Sequence, residues 1–258
     1  MSFVRWILRV ALRASRFATH LLLRWDRDLG DDDRLGHIPA VVASAARHDM
    51  LNDADEQYYA EQYWSLISPY LDSVAAGASV LDLGCGQGRM TRRLVGVVAA
   101  GCVTGVDLSQ PALDVARAAT SHEEGDRVRF VQGDIVAFLS SLERGSVHVA
   151  LMVAVLFFLE DPRSALEALE RVLDPEGVAF VTFRPRHRYL LDAVRTQTWP
   201  AVEVLLEHNS GRPWGGPAQL NWYARDEARA LLRSVGLDAA TLYGVGSLSG
   251  IEYDPLAD

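Results

Sequence analysis

Short apolar runs alternate with amphipathic stretches through the middle of the chain. Between the runs, apolar residues recur at the spacing of one helix face, as Leu166, Leu169 and Leu173 do. Strands joined by crossover helices predict a mostly parallel sheet that is covered by helices on both faces. Five strands are predicted in this way, at 80–83, 103–106, 128–131, 147–159 and 178–183.

The first 25 residues follow a different pattern, that of a basic amphipathic helix. At about 100° per residue, most of their arginines and His20 fall on one face, while Phe3 and Leu21 fall on the other. The arginines interrupt the apolar stretch that a signal peptide or a membrane span needs. The helix is therefore expected either to lie on a membrane surface or to pack on its own domain or a partner, and the acidic segment 26–33 follows it as a linker.

Composition and charge restrict the class of protein. Of the 258 residues, 49% are hydrophobic and 23% are charged, which is typical of a globular chain. The net charge is −9, with +5 in residues 1–25 and −14 in the rest, so general nucleic-acid binding is not expected. All 25 basic residues are Arg, which excludes Lys chemistry. Two cysteines are too few for a disulfide framework or a Cys-rich zinc site, and the sequence indicates no other metal cluster. A reducing, cytoplasmic compartment is therefore expected.

A glycine-rich turn with the sequence GCGQG, at 84–88, joins the first strand to the next helix. Glycines at such a junction allow a tight turn and a close approach of the backbone to a ligand, although a tight turn alone has the same need. A dinucleotide-binding loop requires glycine where this chain has Arg89, and no Gly-Lys-Ser/Thr of a P-loop follows. Asp107 lies nineteen residues after Gly88, at the end of the second strand, where a carboxylate can accept both hydroxyls of a ribose.

In these segments the sequence resembles the class I S-adenosylmethionine-dependent methyltransferases. The likeness extends from about residue 57 to 245 and rests on the order and spacing of several motifs. It implies a Rossmann-like α/β domain with a mostly parallel seven-stranded sheet, with S-adenosylmethionine as cofactor and S-adenosylhomocysteine as product. The matching motifs are VLDLGCGQGRMTRRL at 80–94, VTGVDLSQPALDVAR at 103–117, VRFVQGDI at 128–135, VALMVAVLFFLEDPRSALEALERVLDPEG at 149–177 and WYARDEARALLRSVGL at 222–237.

The resemblance also implies which residues hold the cofactor. Asp82 would orient the glycine loop and meet the methionine amine, partly through water. Asp107 would bind the ribose hydroxyls, and Asp134 would accept the exocyclic amine of the adenine. The other implied contacts are the backbone of Gly84, Gly86 and Gly88 on the methionine and ribose, Leu108 packed on the adenine, the N–H of Ile135 on the ring, and Met152 and Val153 near the amine and sulfonium.

Two further features bear on this site, a tyrosine before the first strand and the loop after the fourth. Tyr63 resembles the family tyrosine that covers the methionine carboxylate, and it is equally expected as a core aromatic. Many family members carry an Asp near the start of the fourth strand, where this chain has His148, and a His in the following loop, where it has Phe157-Phe158. These departures leave the cofactor contacts intact but remove a familiar general base.

The basic segment directly after the fifth strand is a candidate for acceptor binding, because ligands of such sheets bind at the carboxyl ends of the strands. Arg184 and Arg186 are expected to hold an anionic acceptor, and the alternative is a solvated loop. His187 is the first candidate for a general base, and Tyr223 is the second.

A lid is expected at about 185–223. Its Gly-, Pro- and Trp-rich part, 211–217, is too long for a simple turn, although an ordinary connection is the alternative. Trp214 and Trp222 are expected to contact an aromatic or lipid-like acceptor beneath the lid.

The predicted organisation is an N-terminal segment at 1–50 and a methyltransferase domain at 51–258. The expected activity is methyl transfer to O, N or C of a small-molecule or lipid-like acceptor. The alternatives are a membrane-peripheral methyltransferase of a lipid, quinone or lipid-linked sugar at the inner face of a membrane, a non-catalytic cofactor-binding scaffold, and a non-methylating reaction such as cyclisation. Residues 1–25 are the expected contact with a membrane or partner, and a homo-oligomer is compatible with the sequence.

Overall fold

The structure is a computed structural model that describes residues 42, 48–71, 74, 77–97, 102–121, 125–216, 218–237 and 241–245. The predicted basic helix at 1–25 and its acidic linker at 26–33 lie outside the described residues. Within the described ranges, no helix combines the length and apolar character that a membrane span requires.

The central sheet contains five parallel strands: β1 (Ser79–Leu83), β2 (Cys102–Asp107), β3 (Val128–Gln132), β4 (Val147–Met152) and β5 (Leu173–Val181). Their order is β3-β2-β1-β4-β5, so the direction of strand succession reverses between β1 and β4. Such a reversal opens a crevice at the carboxyl ends of the two strands, which is where ligands of open α/β sheets bind. The prediction of a parallel sheet is confirmed for these five strands. The fourth strand ends at Met152, and the rest of the apolar run to Leu159 is a loop with a 3-10 turn. The seven-stranded form stays a prediction.

The pairing of β4 with β5 contains a bulge. Val147 pairs with Leu173 and Val149 pairs with Val178. An advance of two residues along β4 therefore corresponds to an advance of five residues along β5. The turn predicted at 174–177 is therefore an excursion within β5. Gly177 is needed in it, because a Cβ there would lie 2.9 Å from the carbonyl oxygen of Val147.

Helices cover both faces of the sheet. Three of them begin at a side chain that accepts a backbone N–H of the first turn, namely Ser109, Asp134 and Asp161. The helices are α1 (Ala54–Ile67), α2 (Arg89–Val97), α3 (Gln110–Ala119), α4 (Ile135–Ser140), α5 (Pro162–Val172), α6 (Arg186–Arg195), α7 (Trp199–Glu207) and α8 (Arg225–Ser234), with short 3-10 turns at Ser68–Tyr70 and Leu156–Phe158.

Alternate residues of the strands point into two cores. Leu81 and Leu83 join the first core with α4, α5 and α8, whereas Val80 joins the second core with α1 and α2. The alternation follows the two-residue period of a strand that is buried on both faces. The glycine loop at 84–88 leaves β1 between these two cores.

The segment predicted as a lid is an ordered helical unit with its own core. It consists of α6, α7 and a small antiparallel pair, β6 (Ser210–Gly211) and β7 (Leu220–Asn221). Tyr189, Trp222 and Phe157 are buried together in this third core. Phe157 belongs to the loop after β4, so the lid unit packs on the carboxyl end of the sheet.

Candidate functional site

The glycine loop makes the turn that its sequence predicts. Gly84, Gly86 and Gly88 all have positive φ, at +73°, +52° and +79°. A Cβ on Gly84 would lie 2.2 Å from Cγ2 of Val155, in the loop after β4. The backbone of the glycine loop therefore approaches the loop after β4 more closely than a side chain at position 84 would allow.

Asp82 lies on β1 just before this loop, and its side chain is buried. The Thr91 hydroxyl donates a hydrogen bond to its Oδ2 at 2.6 Å. Burial raises the pKa of Asp82 to about 6, even though the hydrogen bond from Thr91 and the charge of Arg89 favour the ionised form. A buried carboxylate with so few donors is suited to receive a cationic group from a ligand.

Replacing Asp82 with asparagine should raise the stability of the ligand-free protein. The pKa of this carboxyl is raised in the folded state, so folding free energy is lost as pH rises from about 4 to about 6. At about pH 8 we expect Asp82→Asn to increase the free energy of unfolding by about 1–3 kcal/mol, with no gain near pH 4. Urea unfolding at both pH values measures this, with the exposed Asp114→Asn as control. A variant that is less stable at about pH 8 would contradict the expectation.

Asp107 ends β2 beside the loop, as predicted. Its Oδ2 accepts the N–H of Gly86 and its Oδ1 accepts the N–H of Ser109, both at 2.8 Å. Burial raises the pKa of Asp107, and the two backbone hydrogen bonds oppose this effect. Each oxygen can accept a second hydrogen bond, so the carboxylate can hold the loop and still bind two hydroxyls.

The adenine end of the predicted site lies next to Asp107. The N–H of Gly133 donates to the carbonyl of Asp107 at 3.0 Å, which brings the start of α4 alongside the end of β2. Asp134 is exposed and caps α4 by accepting the N–H of Ala137 at 2.8 Å. Leu108 is half-buried, and its carbonyl accepts a bond from Gln132.

The predicted contacts at the end of β4 and on α1 are largely buried. Met152 is fully buried in the first core and Val153 lies in the second, so Met152 reaches a ligand only through its backbone. Tyr63 is half-buried against the second core, which is the environment of a core aromatic.

Ala154, the residue after Val153, has a φ of +60°. Its N–H donates a hydrogen bond to Thr182 Oγ1 at 2.7 Å. Positive φ at alanine is costly, and such strain clusters at functional sites.

Sequence reasoning missed a segment that lies on the glycine loop. Gln87 is buried, and its side chain donates to the carbonyl of His48 at 2.6 Å and accepts the N–H of Met50 at 3.0 Å. The sulfur of Met50 is 3.0 Å from the position of a Cβ on Gly86. Residues 48–50, assigned to the N-terminal segment by the sequence, therefore contact the predicted cofactor loop, and we call residues 48–50 the clasp.

An ion-pair network holds the clasp and α1 against α2. Arg89 pairs with the Glu56 carboxylate and also donates to the Glu56 carbonyl at 2.7 Å. Glu56 Oε1 lies 3.1 Å from Nε2 of His48. This contact raises the pKa of His48, while the pKa of Glu56 is lowered because His48 and Arg89 outweigh its burial. Arg89, which stands where a dinucleotide-binding loop would need glycine, thus holds α1 and the clasp beside the glycine loop.

On the acceptor side, Arg184 lies after β5 with its guanidinium carbon 4.4 Å from the centre of the Phe157 ring. A guanidinium stacked by its face keeps its N–H edges available for an anion. Tyr223 is half-buried against Phe183, with ring centres 5.3 Å apart, and burial raises its pKa to about 12. A hydroxyl with this pKa is a poor general base near neutral pH.

Arg186 and Trp222 lie where they hold the lid unit together, and not where the sequence led us to expect them. Arg186 donates to both carboxylate oxygens of Glu227, at 2.7 and 2.8 Å, and contacts Asn209. Trp222 has no exposed surface, and its indole N–H donates to the carbonyl of His208 at 2.6 Å. The expectation that Trp222 touches an acceptor is corrected here, because its apolar bulk fills the third core.

The two remaining candidates are closer to the surface. His187 is exposed on the first turn of α6. Trp214 is half-buried and packs edge-on against Tyr189, with ring centres 5.3 Å apart. Among the described residues, no cluster of His, Cys, Asp or Glu side chains could hold a metal ion.

The comparisons with known proteins agree with this architecture. A family model described as "Methyltransferase domain" matches residues 81–181. The ubiquinone biosynthesis O-methyltransferase of Thiobacillus denitrificans is 30% identical over 183 residues, 70% of this chain and 71% of the relative. The demethylmenaquinone methyltransferase of Chlamydia pneumoniae is 35% identical over 104 residues, 40% of this chain and 43% of that protein. In fold, the chain is similar to the PH0226 protein of Pyrococcus horikoshii OT3, with a TM-score of 0.55 and 21% identity over 71% of this chain and 82% of that one.

The chain therefore belongs to the class I methyltransferase family, and its sheet and helices form the Rossmann-like α/β domain of that family. It is an S-adenosylmethionine-dependent methyltransferase, with S-adenosylmethionine as the methyl donor.

Proposed function

We propose that the protein transfers the methyl group to a small-molecule or lipid-like acceptor bound between the carboxyl ends of β4 and β5 and the lid unit. The observation that carries the proposal is Arg184, which lies over Phe157 beside the buried aromatic core of the lid. An aromatic wall next to an available guanidinium suits an apolar acceptor with an anionic or polar group. Relatives named for ubiquinone and demethylmenaquinone methylation support an acceptor of this kind.

Two observations support the fit of S-adenosylmethionine to the crevice. Three glycines with positive φ carry no Cβ, so a ligand can approach the backbone of the loop closely. Asp82 and Asp107 supply one carboxylate for a cationic amine and another for ribose hydroxyls. The proposed cofactor-binding residues are Tyr63, Asp82, Gly84, Gly86, Gly88, Asp107, Leu108, Asp134, Ile135, Met152 and Val153.

The donor supplies an electrophilic methyl group, and the protein must supply position and exclusion of water. The clasp seals the outer side of the glycine loop, because Met50 leaves no room over Gly86. The lid unit packs an apolar core on the loop after β4, where the methyl group is expected. Arg184 and Trp214 remain the proposed acceptor side, with Arg184 making the direct contact. Arg186 and Trp222 support the lid unit from within.

The domain boundaries are part of the same proposal. We place the catalytic domain at 51–258, with its lid at about 185–223 and with the clasp packed on it from the preceding segment. Residues 1–25 remain the proposed contact with a membrane or partner.

Isotope-labelled S-adenosylmethionine, incubated with the protein and a metabolite extract and followed by mass spectrometry, tests the activity. We expect label in a small apolar product, and calorimetry should show binding of the unlabelled donor.

Asp107→Ala should weaken the binding of S-adenosylmethionine by at least about tenfold, because charged hydrogen bonds to two hydroxyls contribute about 1.5–3 kcal/mol each. Asp114→Ala is the matched control. If S-adenosylmethionine does not bind, both the proposed transferase and the alternative of a cofactor-binding scaffold are contradicted.

A membrane-peripheral form of this activity is a second candidate, favoured by the arginine-striped segment and by the quinone-related names of two relatives. Cosedimentation with vesicles that contain anionic lipid tests it, with the full chain compared to a chain that lacks residues 1–30. Equal binding of the two chains would count against it.

A further inference from the structure

The loop after β4 contains a residue in an unfavourable backbone conformation, Ala154. Its φ of +60° lies in the left-handed region, which is disfavoured for a residue that carries a Cβ. Among the described residues other than glycine, only Gln197 also has a positive φ, and it follows the end of α6, where helices often end in this conformation. Ala154 has no such helix end beside it, so the contacts around it must hold its conformation.

Thr182, the first residue after β5, holds this loop at two points. Its hydroxyl oxygen accepts the N–H of Ala154 at 2.7 Å, and its own N–H donates to the carbonyl of Met152 at 3.2 Å. Met152 pairs with Val181 in the sheet, so Thr182 lies where the regular pairing of β4 with β5 ends. The hydroxyl therefore satisfies a backbone N–H that the strand pairing no longer reaches.

The turn at Ala154 places the next residue against the glycine loop. The two γ-carbons of Val155 would lie 2.2 and 2.9 Å from a Cβ on Gly84. The glycine loop follows β1 and the loop with Val155 follows β4, and these two loops form the sides of the crevice where the strand order reverses. Ala154 packs against both the second and the third core, so this turn also connects the crevice to the lid unit.

We propose that Thr182 is a positioning residue for the methyl donor. Its hydroxyl keeps Ala154 in the left-handed conformation and thereby keeps the loop after β4 in the shape that binds S-adenosylmethionine. This rests on the donor site proposed above, and Thr182 acts through Ala154 without touching the donor. When the hydroxyl is absent, alanine relaxes to a negative φ, and only the fraction of molecules that keeps the turn can bind. The apparent dissociation constant then rises by the inverse of that fraction.

Thr182→Val removes the hydroxyl at nearly constant volume. We expect the dissociation constant of S-adenosylmethionine, measured by calorimetry, to rise about 5- to 30-fold, which is the population that the left-handed conformation costs an alanine. Thr182→Ser keeps the hydroxyl and should bind within about twofold of the wild type. Thr120→Val is the matched control, because its hydroxyl donates to the carbonyl of Ala116 at the end of α3, and donor binding should not change.

Ala154→Gly separates positioning from general support of the sheet. Glycine adopts a positive φ about as readily as a negative one, so the variant with Thr182 intact should bind the donor within about twofold of the wild type. In this background, Thr182→Val should raise the dissociation constant only about twofold, because about half of the molecules keep the turn without the hydroxyl. A hydroxyl that only stabilises the sheet would lower the midpoint of thermal unfolding and weaken donor binding equally in both backgrounds. That result would overturn the proposal.

Two other results would also contradict a positioning role for Thr182. One is donor binding that Thr182→Val leaves unchanged. The other is a loss of tenfold or more with Thr182→Ser, and this measurement decides the matter even if the valine variant does not fold. If the wild-type protein binds no S-adenosylmethionine, the proposed donor site fails as well. If the wild type binds it and the variants bind equally well, the positioning role is wrong and the proposed function stands.

Discussion

Replacing Gly84 with alanine is expected to destabilise the protein by about 2–5 kcal/mol and to abolish binding of S-adenosylmethionine. The left-handed φ of +73° costs an alanine about 1–2 kcal/mol. The new Cβ would also lie 2.2 Å from Cγ2 of Val155, and relief of such overpacking costs about a further 1–3 kcal/mol. Urea unfolding and calorimetry with the donor measure the two effects.

Two variants separate the sources of this effect. Gly145 has a φ of +67°, but the nearest atom to its would-be Cβ is Pro175 Cδ at 4.0 Å, so Gly145→Ala carries the backbone cost alone. Adding Val155→Ala to Gly84→Ala removes the obstructing methyl groups and should restore part of the stability. If Gly84→Ala is no worse than Gly145→Ala, the contact with Val155 does not control the loop.

Replacing Arg89 with methionine is expected to cost about 3–5 kcal/mol of unfolding free energy. The variant leaves the Glu56 carboxylate without its buried cationic partner, and breaking a buried pair from one side is strongly destabilising. It also removes the donor to the Glu56 carbonyl, which fastens α1 beside the clasp. Affinity for S-adenosylmethionine should fall with stability, because the clasp seats on Gly86.

Arg93→Met, one turn further along α2, provides the comparison. Arg93 pairs with Glu61 at 2.6 Å, but Glu61 is 67% exposed, and such surface pairs contribute about 1 kcal/mol or less. Denaturant unfolding of both variants under one set of conditions measures the difference. Equal losses would mean that the Arg89 pair is no more than a surface contact.

The sheet and the cofactor end of the site could be predicted from the sequence because their signals are local. Each strand is a short apolar run, and each crossover helix begins at a recognisable cap such as Asp161-Pro162. The glycines of the loop at 84–88 predict a close approach of the backbone to a ligand, and Asp107 remains the proposed acceptor of ribose hydroxyls. The structure brings these residues to one crevice, as the spacing indicated.

The acceptor side could not be predicted in the same way, because its contacts are long-range. Trp222 resembles a ligand-binding aromatic in sequence, but it fills the core that α6 and α7 form with Phe157. Arg186 resembles an anion site, but Glu227, forty-one residues later, occupies it.

The contact between the clasp and the glycine loop uses main-chain atoms of the clasp and the side chain of Gln87 in the loop. The carbonyl of His48 and the N–H of Met50 make both hydrogen bonds to the amide of Gln87. Almost any residue type supplies those backbone groups, with proline at position 50 as the exception. As far as these two hydrogen bonds are concerned, homologous chains should vary freely at positions 48 and 50. Position 87 should retain a side-chain amide, because that group donates one of the bonds and accepts the other.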